Sequence, residues 1–184
     1  MYTGITGAQP NNSAAADAAE GSWQDLLAQI PIAAYTCNAT GLLTYFNPVA
    51  EAVWGRTATL RDSAERYCGS YRLYSSDGTP MPHSECWMAR ALREGKPYNG
   101  YEVVIERRDG TRTAGVAYAN PVRDSQGQII GAVALVITKA LSPCISTAPP
   151  GDRMAAIPED AALAMTEVTL GLFANLAWPT HAFN

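Results

Sequence analysis

The chain has 184 residues, with 13 Lys plus Arg against 17 Asp plus Glu, a formal net charge of −4, and 47% apolar residues. That is material for one hydrophobic core with extensions rather than two full domains, and the mixed composition excludes a fibrous or wholly disordered chain. All the cationic residues lie between Arg56 and Arg153 with no basic cluster beyond Arg107-Arg108, so the charge pattern argues against a nucleic-acid partner.

Met1 to Gly21 lacks the basic start of a secretory signal, and no stretch approaches the ~18 apolar residues of a membrane span. The expectation is a cytoplasmic protein. Cys37, Cys68, Cys86 and Cys144 are too scattered for a disulfide framework and read as reduced, packed thiols. A zinc site from Cys68, His83 and Cys86 lacks a fourth ligand and zinc-finger spacing.

In chain order, residues 1–21 read as a flexible lead-in. Ser22 caps a short helix over 22–30 with Trp23, Leu26, Leu27 and Ile30 on one face, and Pro31 stops it. Ile32 to Cys37 and Leu42 to Phe46 read as strands joined through Asn38 to Gly41, a hairpin. Asn47 caps the next helix, with Pro48 at its first position and Ala50, Val53 and Trp54 at helical spacing.

Gly55 to Pro82 reads as loops and short helical turns, with no strand in it. Ser84 then caps a helix through Glu94, in which Met88, Ala91 and Leu92 form an apolar stripe ended by Gly95. Tyr101 to Glu106, Thr111 to Asn120 and Gln128 to Lys139 read as a three-stranded meander turned at Asp109-Gly110 and Asp124 to Gly127. The charges at Glu102, Glu106, Arg107, Arg108 and Arg112 suggest cross-strand ion pairs on a solvated face. Residues 140–158 read as a linker rich in Pro, Gly and Ala, and 159–184 as an amphipathic helix and tail.

The sum is an α+β domain over 22–139: a five-stranded antiparallel sheet with helices packed on one face, plus flanking N- and C-terminal helices. The motifs agree with a known family. Pro31, Ala33, Tyr35 and Cys37, then Gly41, Phe46-Asn47-Pro48 and Ala50, and Trp54-Gly55-Arg56, resemble the opening of a PAS domain. Cys68-Gly69-Ser70 with Arg72-Leu73, and Asp77-Gly78 with Pro80-Met81-Pro82-His83, resemble the subgroup found in bacterial sensor histidine kinases of two-component systems. Glu106-Arg107, Asp109-Gly110 and Arg112, then Asp124, Gly127, Ile129 and Gly131-Ala132, are similar to the family's meander. Where the last strand should end in an Asp-Ile-Thr coupling motif, this chain has Val136-Ile137-Thr138.

The resemblance implies a sensory or interaction module, frequently dimeric, whose sheet and helices enclose a pocket. No phosphate-cradling loop or nucleophile elbow is present, and the 45 residues after Lys139 hold neither a phosphoacceptor helix nor a nucleotide domain. The expectation is a non-catalytic module that dimerises and senses a small ligand or a partner protein, the dimer being motivated by the apolar face of the 22–30 helix. Tyr35, Phe46, Trp54, His83, Trp87, Met88, Tyr118 and Leu135 are the candidate pocket residues. Two other readings stay open: a ligand-free interaction scaffold with a filled core, and a haem sensor using His83, which precedes the long helix. No cofactor is obligatory on either of the first two. Flavin photochemistry of the LOV type needs an asparagine-cysteine-arginine run, and Cys86 stands instead between Glu85 and Trp87.

Overall fold

A computed structural model describes residues 24–138, so the lead-in, the Ser22 cap, Trp23, the linker, Cys144 and the C-terminal helix lie outside the described residues. Helix α1 covers 24–29. Strands β1 (Ala33–Asn38) and β2 (Leu43–Phe46) lead into helix α2 (Pro48–Trp54). Strands β3 (Arg72–Tyr74) and β4 (Pro80–Met81), a 3-10 turn (His83–Glu85) and helix α3 (Trp87–Glu94) follow. The meander is β5 (Tyr98–Glu106), β6 (Arg112–Arg123) and β7 (Ile129–Thr138). All strands join one antiparallel sheet in the order β2-β1-β7-β6-β5-β3-β4.

The α+β class is as expected, but the sheet has seven strands rather than five. The two additions lie in the segment read as loops. Asp77 makes them possible: its carboxylate accepts from the Ser75 hydroxyl and the Thr79 amide, which lowers its pKa to about 2 and closes a tight turn at Gly78. That turn folds β4 onto β3, and β3 adds to β5 through Leu73 opposite Ile105. The strands are only three and two residues long, too short for alternation to reveal.

Other boundaries moved for local reasons. β5 begins at Tyr98 because a register shift at Gly100, φ +80°, carries pairing past a turn-like stretch. β6 runs on through Pro121, since pairing with β5 ends at Ala119 and one side of the strand needs no donor there. Ser84 does not cap α3; it lies in the 3-10 turn, and Cys86 occupies the cap position without a side-chain hydrogen bond.

Around β1 and β7 the sheet is buried on both faces. On the inner face Tyr35 lies opposite Ala134, which lies opposite Ala119; one residue along, Ala34, Leu135 and Tyr118 form the matching outer row. The inner alanines 33, 117, 119, 132 and 134 let α2 and α3 approach closely, and Trp54 and Met88 fill the space between. The outer row packs against Leu27 of α1, with Ile30 and Ile32 beside it. Helices therefore cover both faces, not one. Leu27, expected to need a second copy, is 6% exposed on its own sheet, whereas Leu26, beside it among the described residues, is 47% exposed.

Asn47 fixes this arrangement. Its side-chain oxygen accepts from the amides of Ala34 and Ala50, capping α2, while its nitrogen donates to the carbonyls of Leu27 and Ile32. One buried amide thus joins outer helix, strand β1 and inner helix.

Among the expected charge pairs, Glu106 pairs with Arg112 at 2.8 Å and with Arg72 at 3.4 Å across three strands. Arg107 instead donates to the carbonyls of Val53 and Ala52 at the end of α2.

Candidate functional site

Two spaces meet at Cys68. The inner one is a cavity of about 20 Å³ lined by Tyr35, Trp54, Cys68, Cys86, Trp87 and Met88 with the inner face of the sheet. It is little larger than the ~10–15 Å³ that one water requires. The outer one is an open cleft of about 450 Å³ lined by Arg56, Glu65, Arg66, Tyr67, Ser70 and His83, with Cys68 at its back. That volume falls in the small-molecule range of ~300–1,000 Å³.

The candidate residues separate accordingly. Tyr35, Trp54, Trp87 and Met88 line the inner cavity. Phe46 packs on the Trp54 ring, centroids 5.4 Å apart, without reaching that cavity. Tyr118 and Leu135 stand on the opposite face of the sheet under α1 and do not join it. His83 opens on the cleft. Sequence reading missed Arg56, Glu65, Arg66, Tyr67, Ser70 and Tyr71, although Arg56 and Ser70 sit within motifs quoted above.

Segment 56–71 is a built wall rather than a loose loop. Arg56 forms a close ion pair with Glu65 and donates to the Gly69 carbonyl at 2.9 Å; Glu65 also accepts from the Thr59 amide. The backbone of Arg66 bridges to Leu42. Tyr67 adopts φ +70°, a left-handed conformation that is costly for a tyrosine, and its amide donates to Gly41. Its ring lies where a Gly41 side chain would be, 2.2 Å from the position of that Cβ. Gly69 is as tightly placed, since a Cβ there would meet the Trp54 ring at 2.4 Å.

A chain of polar contacts crosses from cleft to core. The His83 Nε2 and Ser70 Oγ are 3.0 Å apart, and the Cys68 thiol donates to Ser70 Oγ at 3.2 Å. The Tyr35 and Trp54 side chains line the inner cavity beside the same sulfur. Burial pushes the thiols of Cys68 and Cys37 and the Tyr35 hydroxyl up, and Cys86 up to about 12, so all four stay protonated at neutral pH. They are not nucleophiles. Burial, with the Arg56 charge adding to it, lowers His83 against the opposing effects of the Ser70 backbone and Glu65, leaving a neutral ring.

Neither metal nor macrocycle suits these residues. Among the described residues no group of three or more His, Cys, Asp and Glu could hold a metal ion, the Cys68–His83–Cys86 set included. Haem does not fit: His83 faces a polar cleft with Nε2 on Ser70, and the apolar interior holds about 20 Å³. No helix among the described residues is long and apolar enough to cross a membrane.

No protein-family model and no curated protein matches the sequence. Solved structures do. The chain is similar to the Rhodobacter sphaeroides LOV protein, with a TM-score of 0.58 at 12% identity over 87% of this chain and 83% of that one. A PAS domain of an HTR-like protein from Haloarcula marismortui gives 0.46 at 14% identity over 69% and 97%, and the PAS domain of the fruit-fly ELK potassium channel 0.45 at 12% over 70% and 98%. At such identities the likeness is one of fold. The curled antiparallel sheet, its helices and the Rhodobacter structure together establish that this chain has the PAS fold.

Proposed function

We propose that this chain is a non-catalytic sensory module that detects a small molecule in the outer cleft rather than inside the core. The observation that carries the reading is the shared wall: Cys68 lines both spaces, the His83–Ser70–Cys68 contacts lead in from the cleft, and Tyr35 of strand β1 lines the inner space beside the same thiol. An effector that alters His83 alters the partner of Ser70, and through it a thiol packed beside Tyr35 of the sheet. Signal transduction is the role that PAS and LOV domains commonly carry, and the fold supports it here.

The unit proposed to do this is 22–139, acting in the cytoplasm, with an output on a partner protein or on a second copy. A homodimer must use a surface other than the inner face of α1, because its own sheet covers Leu27. Native mass spectrometry and light scattering of the purified chain test the reading. A small molecule released with the chain, and lost in a variant with the cleft blocked by Ser70→Trp, supports it. A clean apo mass together with no response to any added metabolite favours the second reading, an interaction scaffold. The filled core is the observation on the side of that alternative.

A further inference from the structure

We propose that the cleft binds its small molecule through a carboxylate or phosphate group, seated between the Arg66 guanidinium and the His83 ring. This rests on the cleft being the sensing site and names the chemistry it accepts.

The charges around the cleft are unevenly spent. Arg56 is held by Glu65 and the Gly69 carbonyl, and Glu65 by Arg56 and the Thr59 amide. Arg66 lines the same space but has neither a carboxylate nor a carbonyl partner among the described residues. With Glu65 neutralised, the cleft keeps one uncompensated positive charge. Tyr71, at the mouth, carries two more guanidinium groups on its ring, Arg72 at 4.9 Å and Arg108 at 5.9 Å. Arg72 shares Glu106 with Arg112, whereas Arg108 has no acidic partner among the described residues. The field over the opening therefore favours an anion.

Preorganisation is the second line of support. The left-handed Tyr67 and the crowded Gly69 hold this wall in a conformation that an unconstrained loop would not choose. The backbone bridge to Leu42 fixes where Arg66 starts, so less order is lost when its guanidinium meets a ligand. His83 completes the site as a proton acceptor. The titratable groups that face it are Arg56, Glu65, Arg66, Tyr67, Cys68 and Tyr71, and an oxyanion placed beside Arg66 adds a negative charge that draws a proton onto the ring.

The test is an NMR titration of the isotopically labelled full chain with inorganic phosphate and with succinate, using choline and glycerol as cationic and neutral controls. One of the two anions should give saturable shifts centred on 65–71 and 83–84 and raise the His83 titration midpoint, and Arg66→Gln should weaken it about tenfold. The controls should not move these signals. Absence of a saturable shift with either anion, or an Arg66→Gln variant that binds as well, overturns the proposal. Saturation by glycerol or choline instead overturns the anion assignment and leaves the cleft as the sensing site. Anion binding that leaves the Tyr35 signals unmoved upholds this proposal and removes the sensory reading on which it was framed.

Discussion

The two spaces on either side of Cys68 differ in almost every property that matters to a ligand. The interior is apolar, closed and about 20 Å³; the cleft is polar, open and about 450 Å³. The interior is small because alanines on β1, β6 and β7 admit α3 and the Trp54 ring to close contact. The cleft lies between 56–71, a wall shaped by Gly41, Gly69 and the Arg56–Glu65 pair, and the 3-10 turn that carries His83. A fold usually associated with an internal pocket has here filled that pocket and left space outside it. Composition at a handful of inner positions, rather than topology, decides which.

Three substitutions probe that contrast. The largest effect belongs to Trp54→Ala, which removes a side chain 1% exposed that meets the Tyr35 ring edge-on and the Phe46 ring at a tilt. We expect a loss of about 3–5 kcal/mol in chemical denaturation. We also expect an enlarged interior that takes up indole, while the His83 signals on the far side of the cleft stay in place. Gly69→Ala comes next, because the added Cβ meets Trp54 at 2.4 Å and Ala58 at 2.8 Å. It should cost about 1–3 kcal/mol and displace the wall between the two spaces. A stability equal to that of the unsubstituted chain would show that the wall is softer than described.

The smallest effect is on pH dependence. His83 is held below its ordinary value of 6.5, mainly by burial, so the folded chain keeps the ring neutral where the unfolded chain begins to protonate. The unfolded state then binds more protons, and the neutral ring's contribution is fully present above about pH 6.5. It falls as pH drops through 6.5 toward the folded value, with a slope of at most ~1.4 kcal/mol per pH unit. His83→Gln should flatten that part of the stability–pH curve and leave the curve above neutrality unchanged.

The sequence carried the fold further than the site. Asn47, Pro48 and Gly55 mark α2 at both ends because caps are local chemistry, legible at fixed offsets. The meander was legible for the same reason, from Asp109-Gly110 and Asp124 to Gly127. β3 and β4 were not, since two and three residues leave no period, though Asp77-Gly78 was a turn signal passed over. The site failed differently. Tyr118 and Leu135 were placed with Tyr35 by aromatic and apolar character, yet alternation puts their row on the other face. The cleft had no periodic signature at all: Arg56 and Glu65 meet through a long irregular segment, and Ser70 reaches His83 across 13 positions.

The central claim is that events in the cleft reach the core through Ser70. The most direct test follows the His83 ring and the Tyr35 and Cys68 signals by NMR across a pH titration, in the unsubstituted chain and in Ser70→Ala. The account predicts that Tyr35 and Cys68 shift with the His83 midpoint, and that the coupling disappears in Ser70→Ala while His83 still titrates. Core signals that stay still as His83 titrates, or that follow it equally well without the Ser70 hydroxyl, would contradict it.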